Sequence, residues 1–149
     1  MLKLSKLTDY TTVILSFMAS NTAHIHSALE VAEATGIALP TVSKLLKLLV
    51  KAKFLRSVRG AKGGYNLAKR PEDITMADII NLMEGPIALT ECSITQQGCG
   101  QASGCHIGGK WSLINRTVHN ALESVSLADM IMPSAFPSEV LIPVKSLLR

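Results

Sequence analysis

The chain reads as mainly helical with one small β-hairpin, a winged helix-turn-helix followed by a long C-terminal helix. Three observations predict this. Two short apolar-periodic segments meet at Gly36, a glycine-rich strand-turn-strand pattern follows them, and an amphipathic stripe runs through Lys110 to Met130.

Each element has its own signature. Leu7 to Ala19 carries apolar residues at helical spacing (Leu7, Val13, Ile14, Phe17, Met18), and Asn21 to His26 is a polar break. Ser27 and Glu30 form the Ser-x-x-Glu pattern of a capping box, which starts a second helix that stops near Gly36. Pro40 suits the first turn of a third helix through Val42, Leu45, Leu46, Leu48 and Leu49, with Leu39 as its N-cap. Phe54 to Arg59 reads as a strand, Gly60 to Gly64 as a tight turn and Tyr65 to Leu67 as the return strand. Pro71 punctuates; Thr75 to Glu84 is a further helix ended by Gly85-Pro86. Glu91 to Gly109 holds five glycines and little apolar pattern, hence a loop. Ile114, Val118, Ala121, Leu122 and Val125 then make one stripe on a helix from about Lys110 to Met130. The chain divides at these points into a winged helix-turn-helix (1–86), a cysteine loop (87–109), a helix (110–131) and a tail without an assigned role (132–149).

At 149 residues the chain can bury a core without disulfides. Nearly half its residues are apolar, but no run approaches the roughly 18 apolar residues of a membrane span. The N-terminus lacks a signal-peptide pattern, so a soluble cytoplasmic protein is expected. No nucleophile–base pair, phosphate loop or paired carboxylates stand out, which argues against an enzyme. The net charge of +4 says less than its distribution. Between Ala34 and Pro71 there is no acidic residue, yet nine of the fifteen Lys and Arg lie there: Lys44, Lys47, Lys51, Lys53, Arg56, Arg59, Lys62, Lys69 and Arg70. A solvated helix surface would also carry charge, but the complete lack of acids favours a folded positive face for a polyanion.

A helix-turn-helix lays the start of its second helix in the major groove of double-stranded DNA. Thr41, Ser43, Lys44 and Lys47 would face DNA there, contacting base edges or phosphates. Arg59 at the hairpin tip is placed to enter an adjacent minor groove, with Lys62 beside it. Gly60, Gly63 and Gly64 close the hairpin whether or not DNA is bound.

The three cysteines, Cys92, Cys99 and Cys105, cannot all pair within one chain, and clustered thiols in a reducing compartment point to metal or redox chemistry. Their spacing is too wide for the Cys-x2-Cys knuckles of structural zinc. Glycines 98, 100 and 104 would let the loop wrap an iron–sulfur cluster. Zinc and free thiols are the other readings. A fourth ligand is needed, and Asp9, His24, His26 and His106 are the candidates; Asp9 could instead cap the first helix.

The stretch Val58-Arg-Gly-Ala-Lys-Gly-Gly-Tyr-Asn-Leu, after the Ala32/Gly36 helix-turn-helix and before three spaced cysteines, resembles the Rrf-type winged helix-turn-helix transcription regulators. That family includes the cluster regulator IscR and the nitric-oxide-sensing repressor NsrR. Leu4-Ser-Lys-Leu-Thr-Asp-Tyr, Leu89-Thr-Glu-Cys and Ser126-Leu-Ala-Asp-Met are similar to the family's regulators of the SUF iron–sulfur assembly system. The resemblance covers about residues 1–131. It implies a homodimer on a palindromic operator, with a [2Fe-2S] or [4Fe-4S] cluster on Cys92, Cys99 and Cys105 and the last helix as dimerisation seam. It also makes Arg59 the minor-groove arginine of the wing. The first cysteine gap is one residue longer than the family's. The histidine that IscR-like proteins place three residues after the last cysteine is replaced by Gly108. Asp9 matches the aspartate of NsrR-like proteins, which in that family is donated across the dimer, and this favours it over His106. The rival readings are a winged helix with structural zinc, a nitric-oxide or redox sensor acting on other genes, and a small redox protein whose basic face docks an acidic partner.

Overall fold

A computed structural model describes residues 3–90 and 107–133. Helices α1 (Lys6–Ala19), α2 (Ala28–Thr35) and α3 (Leu39–Lys51) come first. Strands β1 (Leu55–Val58) and β2 (Gly64–Leu67) then form an antiparallel hairpin, with Leu55 opposite Leu67 and Val58 opposite Gly64. A 3-10 turn (Pro71–Asp73) leads into α4 (Met76–Glu84), followed by α5 (Gly108–Glu123) and α6 (Leu127–Ile131). The architecture is thus mostly helical with a two-stranded wing.

The core is where the apolar stripes meet. Ile14, Leu15 and Met18 of α1, Val31 of α2, and Val42, Leu45, Leu46 and Leu49 of α3 are buried together with Leu55, Ile74, Ile79 and Leu127. Full burial of each such side chain stabilises by about 1.5–3 kcal/mol. Two buried polar groups on α1 are satisfied: the Thr11 hydroxyl donates to the Leu7 carbonyl at 2.8 Å, and the Thr8 hydroxyl donates to the Glu84 carboxylate. Ser5 caps α1, while its own N–H donates to Glu84 at 2.8 Å, so α4 ties down the start of α1.

The helix-turn-helix forms as its punctuation predicts. Gly36 adopts φ 70° and donates its N–H to the Ala32 carbonyl at 2.9 Å, ending α2. The capping box at Ser27 is only half made. Ser27 accepts from the Glu30 N–H at 3.1 Å, but the Glu30 carboxylate turns to His24 and His26 instead of the cap backbone. Helix α3 starts one residue earlier than expected, with Ala38 as N-cap, no side-chain cap and Pro40 in the first turn. It ends in a Schellman motif: Phe54 N–H donates to the Leu49 carbonyl (2.9 Å) and Lys53 N–H to that of Val50 (3.0 Å). Lys53 takes the left-handed position at φ 63°, where glycine is usual.

The single helix expected over 110–131 is two helices. Ser126 accepts from the Asp129 N–H while Asp129 accepts from the Ser126 N–H, a capping box that restarts the chain as α6. Thr75 and Asp78 do the same for α4. The two starts are joined back to back by a β-bridge between Thr75 and Ser126, in which Met76 N–H donates to Val125 (2.9 Å) and Leu127 N–H to Ile74 (2.7 Å). Val125 therefore lies in the break, and the stripe proper ends at Leu122. Helix α5 packs mainly on α4, whereas α6 returns to α1 and the 3-10 turn.

Candidate nucleic-acid interface and cofactor loop

Burial in α3 separates its two faces. Val42, Leu45, Leu46 and Leu49 are buried, while Pro40, Lys44, Lys47 and Lys51 are exposed along one ridge at steps of four, three and four. Thr41 and Ser43 flank that ridge, half-buried on either side. Lys51 continues the line of Lys44 and Lys47, although it is not among the DNA-facing residues expected from sequence; its i, i+3/i+4 spacing is the signal that could have found it.

The basic residues of the acid-free stretch are not equivalent. Arg70 pairs with Asp73 through two hydrogen bonds of 3.0 and 3.1 Å, which raises the Arg70 pKa and lowers that of Asp73. Arg56 donates across the hairpin to the Ala68 carbonyl at 3.0 Å, and the Lys69 ammonium lies 5.4 Å from the Phe54 ring centre. Lys44, Lys47, Lys51, Lys53, Arg59 and Lys62 are exposed and have no such partner among the described residues. The cations left over are those of the α3 ridge, its C-terminal turn and the wing tip.

The wing is anchored at its base. Tyr65 and His26 exchange backbone hydrogen bonds of 2.8 and 2.9 Å, so β2 is pinned to the turn before α2. A Cβ on Gly64 would stand 2.4 Å from the His26 carbonyl oxygen, and one on Gly63 would stand 2.4 Å from that of Val58. Both positions need glycine for close backbone approach. Arg59 and Lys62 project beyond this base, on either side of Gly60.

Cys92, Cys99, Cys105 and His106 lie outside the described residues, as does the tail beyond 133. The approaches to the loop are well defined. Asn115 of α5 accepts from the Leu89 N–H and donates to the Ile87 carbonyl, both at 3.0 Å. Lys3 and Leu4 line the same groove as Ile87, Leu89, Val118 and Leu122. The chain thus enters the cysteine loop at the Asp9 end of α1. Asp9 itself is exposed, is not the helix cap, and makes no side-chain hydrogen bond or ion pair among the described residues. Three thiols and an uncommitted carboxylate fit the anionic donor set of an iron–sulfur centre. His24 and His26 belong elsewhere. They follow the opposite end of α1, about 15 Å away along ten residues of helix, and meet Glu30 at 3.1 Å.

A two-stranded wing beside a helix-turn-helix, with unpaired cations on both, defines the class: a DNA-binding winged-helix transcription regulator. A family profile described as Rrf2, iron-dependent transcriptional regulator, matches residues 4–133, and the chain belongs to that family. It is therefore a regulator of transcription and not an enzyme. Protein rrf2 of Nitratidesulfovibrio vulgaris is 30% identical over 102 residues, 68% of each chain. The regulator IscR of Aliivibrio salmonicida is 27% identical over 103 residues, 69% of this chain and 61% of its own. Among solved structures, CymR, the global cysteine regulator of B. subtilis, superposes with a TM-score of 0.70 at 30% identity, covering 88% of this chain and 97% of its own. IscR of T. potens gives 0.67 at 30% identity, covering 87% and 86%. No described helix is long and apolar enough to cross a membrane.

Proposed function

We propose that the protein is a cytoplasmic, iron–sulfur-cluster-sensing transcription regulator that binds a palindromic operator as a homodimer and controls genes of SUF-type cluster assembly. The observation that carries the reading is the pairing of an uncommitted cationic ridge and wing with a three-cysteine loop entered at the Asp9 end of α1. Thr41, Ser43, Lys44 and Lys47 read or hold the major groove, and Arg59 and Lys62 hold the flanking minor groove and phosphates. Cys92, Cys99 and Cys105 supply thiolates to the cluster, [2Fe-2S] or [4Fe-4S], and Asp9 supplies the fourth ligand. The bound cluster contributes a centre whose oxidation or reaction with small gases changes its charge and stability.

Helix α5 transmits that state. None of its described side chains is fully buried within one chain; Leu113 and Ile114 are 37% and 41% exposed, and Val118 and Leu122 are half-covered. A second copy of α5 would cover this stripe and set the separation of the two α3 helices at about one helical turn of DNA. Asn115 links α5 directly to the segment leading into the cysteines, so ordering the loop biases that separation.

The test is protein purified without oxygen, measured for visible absorbance, iron and acid-labile sulfide, then titrated with operator DNA in the loaded and stripped states. Iron and sulfide in comparable amounts, with affinity differing between the states, supports the proposal. Cys99→Ala should lose the colour and keep a folded dimer. A colourless protein holding stoichiometric zinc would make the cysteines a structural clip, and equal affinity in both states would remove the sensing role.

A further inference from the structure

We propose that His24, His26 and Glu30 form a separate mononuclear site for a divalent cation of the zinc type, at the joint between helix-turn-helix and wing. Glu30 Oε1 lies 3.1 Å from both His24 Nε2 and His26 Nδ1, and its Oε2 lies 3.3 Å from His24 Nε2. One donor atom from each residue falls within 4.8 Å of the others. Tetrahedral zinc with bonds of about 2.0–2.2 Å holds its ligand atoms about 3.4 Å apart. The two Glu30–histidine gaps lie within about 0.3 Å of that value, and His24 and Glu30 are half-exposed, so their side chains are free to adjust.

His26 supplies an independent reason for a cation. Its side chain is buried, and both ring nitrogens face oxygens: Nδ1 faces Glu30 at 3.1 Å and Nε2 faces the Asn21 carbonyl at 3.4 Å. A neutral imidazole has one N–H, so unless both nitrogens carry a proton, one edge sets a lone pair against an oxygen lone pair. A cation on Nδ1, a metal or a proton, resolves this, and a metal there leaves Nε2–H donating to the Asn21 carbonyl. That is the outer bond that metal-bound histidines ordinarily make.

The donors are also held in place beforehand. Ser27 fixes the first turn of α2 and hence Glu30; the Tyr65 bridge fixes the His26 backbone; the Phe17 ring packs 5.0 Å from the imidazole. Half-exposure of His24 and Glu30 leaves the fourth position open to water. Because His26 holds β2 and Glu30 sits in α2, an occupied site cross-links the wing to the first helix of the DNA reader. The site's donors are nitrogen and oxygen alone, so it is spectroscopically distinct from the cysteine loop.

Cobalt(II) is the probe, added to the full chain carrying Cys99→Ala so that no cluster competes. The expected result is one cobalt per chain with tetrahedral visible bands, no thiolate-to-cobalt charge-transfer band, and displacement by zinc. His24→Ala and Glu30→Gln, neither at a buried position, should each weaken cobalt binding at least tenfold while circular dichroism stays unchanged. Zinc should also slow amide exchange at Tyr65 in the parent and not in His24→Ala. Cobalt uptake that ignores both substitutions, a spectrum with thiolate character only, or no uptake at all would overturn the proposal. None of these outcomes depends on cluster loading, so the cluster reading and this site stand or fall separately.

Discussion

Replacing Gly64 by alanine tests whether the wing is docked on backbone, as the structure implies. The added Cβ would sit 2.4 Å from the His26 carbonyl oxygen, 2.8 Å from its carbon and 3.1 Å from the Ile25 Cγ2. An ordinary carbon–oxygen approach is about 3.3 Å or more, so the two backbones must separate by about 1 Å. The first two obstacles are main chain and cannot rotate away. The separation strains or breaks the reciprocal bonds of 2.8 and 2.9 Å between His26 and Tyr65. At about 0.5–1.5 kcal/mol each, their loss should lower stability by about 1–3 kcal/mol. Gly36→Ala is the control: its cost comes from φ 70° alone, since nothing lies within 4 Å of the new methyl group. A left-handed alanine costs about 1–2 kcal/mol, and the stiffer unfolded chain returns about 0.4–1 kcal/mol of it. Urea unfolding gives the two stabilities, and amide exchange at Tyr65 gives the local readout. Exchange at Tyr65 should accelerate beyond the global change in Gly64→Ala only. A Gly64→Ala protein with parental Tyr65 protection and a stability loss under about 0.5 kcal/mol would refute the docking argument.

Three further outcomes concern residues already placed. Lys44→Ala and Lys47→Ala should each reduce the steepness of log affinity against log salt by about 0.9 for each phosphate no longer neutralised; Arg70→Ala, whose guanidinium serves Asp73, should leave that slope nearly unchanged. Lys53→Gly should raise stability by about 0.5–1 kcal/mol, seen as a higher urea midpoint at unchanged m-value, because relief of φ 63° outweighs the looser unfolded chain. It should at the same time weaken operator binding if the lysine is held there for its charge, so a variant both less stable and weaker in binding would refute the strain argument. Hydrogen bonds from Thr8 and Ser5 hold the Glu84 carboxyl below the usual carboxylate range. A depressed folded pKa means stability fully present above the unfolded value and lost as pH falls through the folded one. The stability gap between the parent and Glu84→Gln should therefore be constant at neutral pH and shrink on acidification below about pH 4; a gap that widens there would be the wrong sign.

Much of the fold was legible because local signals agreed with tertiary needs. Gly36, Pro71 and Gly85 end or separate elements where they stand, and Gly63 and Gly64 of the hairpin are demanded by close backbone contacts. The break before α6 was not legible in the same way. Ser124-Val125-Ser126 contains no glycine or proline, and Val125 continues the apolar stripe, so periodicity alone carries the helix through. What stops it is the Ser126–Asp129 box together with a bridge to Thr75, a partner fifty residues earlier. Glu30 shows the opposite failure. Its Ser-x-x-Glu pattern named the correct cap, but two imidazoles outcompeted the cap backbone for the carboxylate. Sequence charge likewise marked the basic stretch without telling which cations fold-internal partners had already claimed.

The Thr75–Ser126 bridge also bears on what a regulator with two states requires. The bridge closes a neck between the starts of α4 and α6; α4 stays in the body, where Ile79 is buried and Glu84 holds the start of α1, so α5 is the described element that stands outside the core. Beyond the neck, α6 closes against α1, and its Leu127 is buried in the same core as the helix-turn-helix. Helix α5 packs mainly on α4, so its rearrangement can be absorbed outboard of α4 while the reading head keeps its shape. On the proposed cluster-sensing reading, an unloaded protein is then a second folded species with its own DNA affinity, not a damaged one, and a cell could use both.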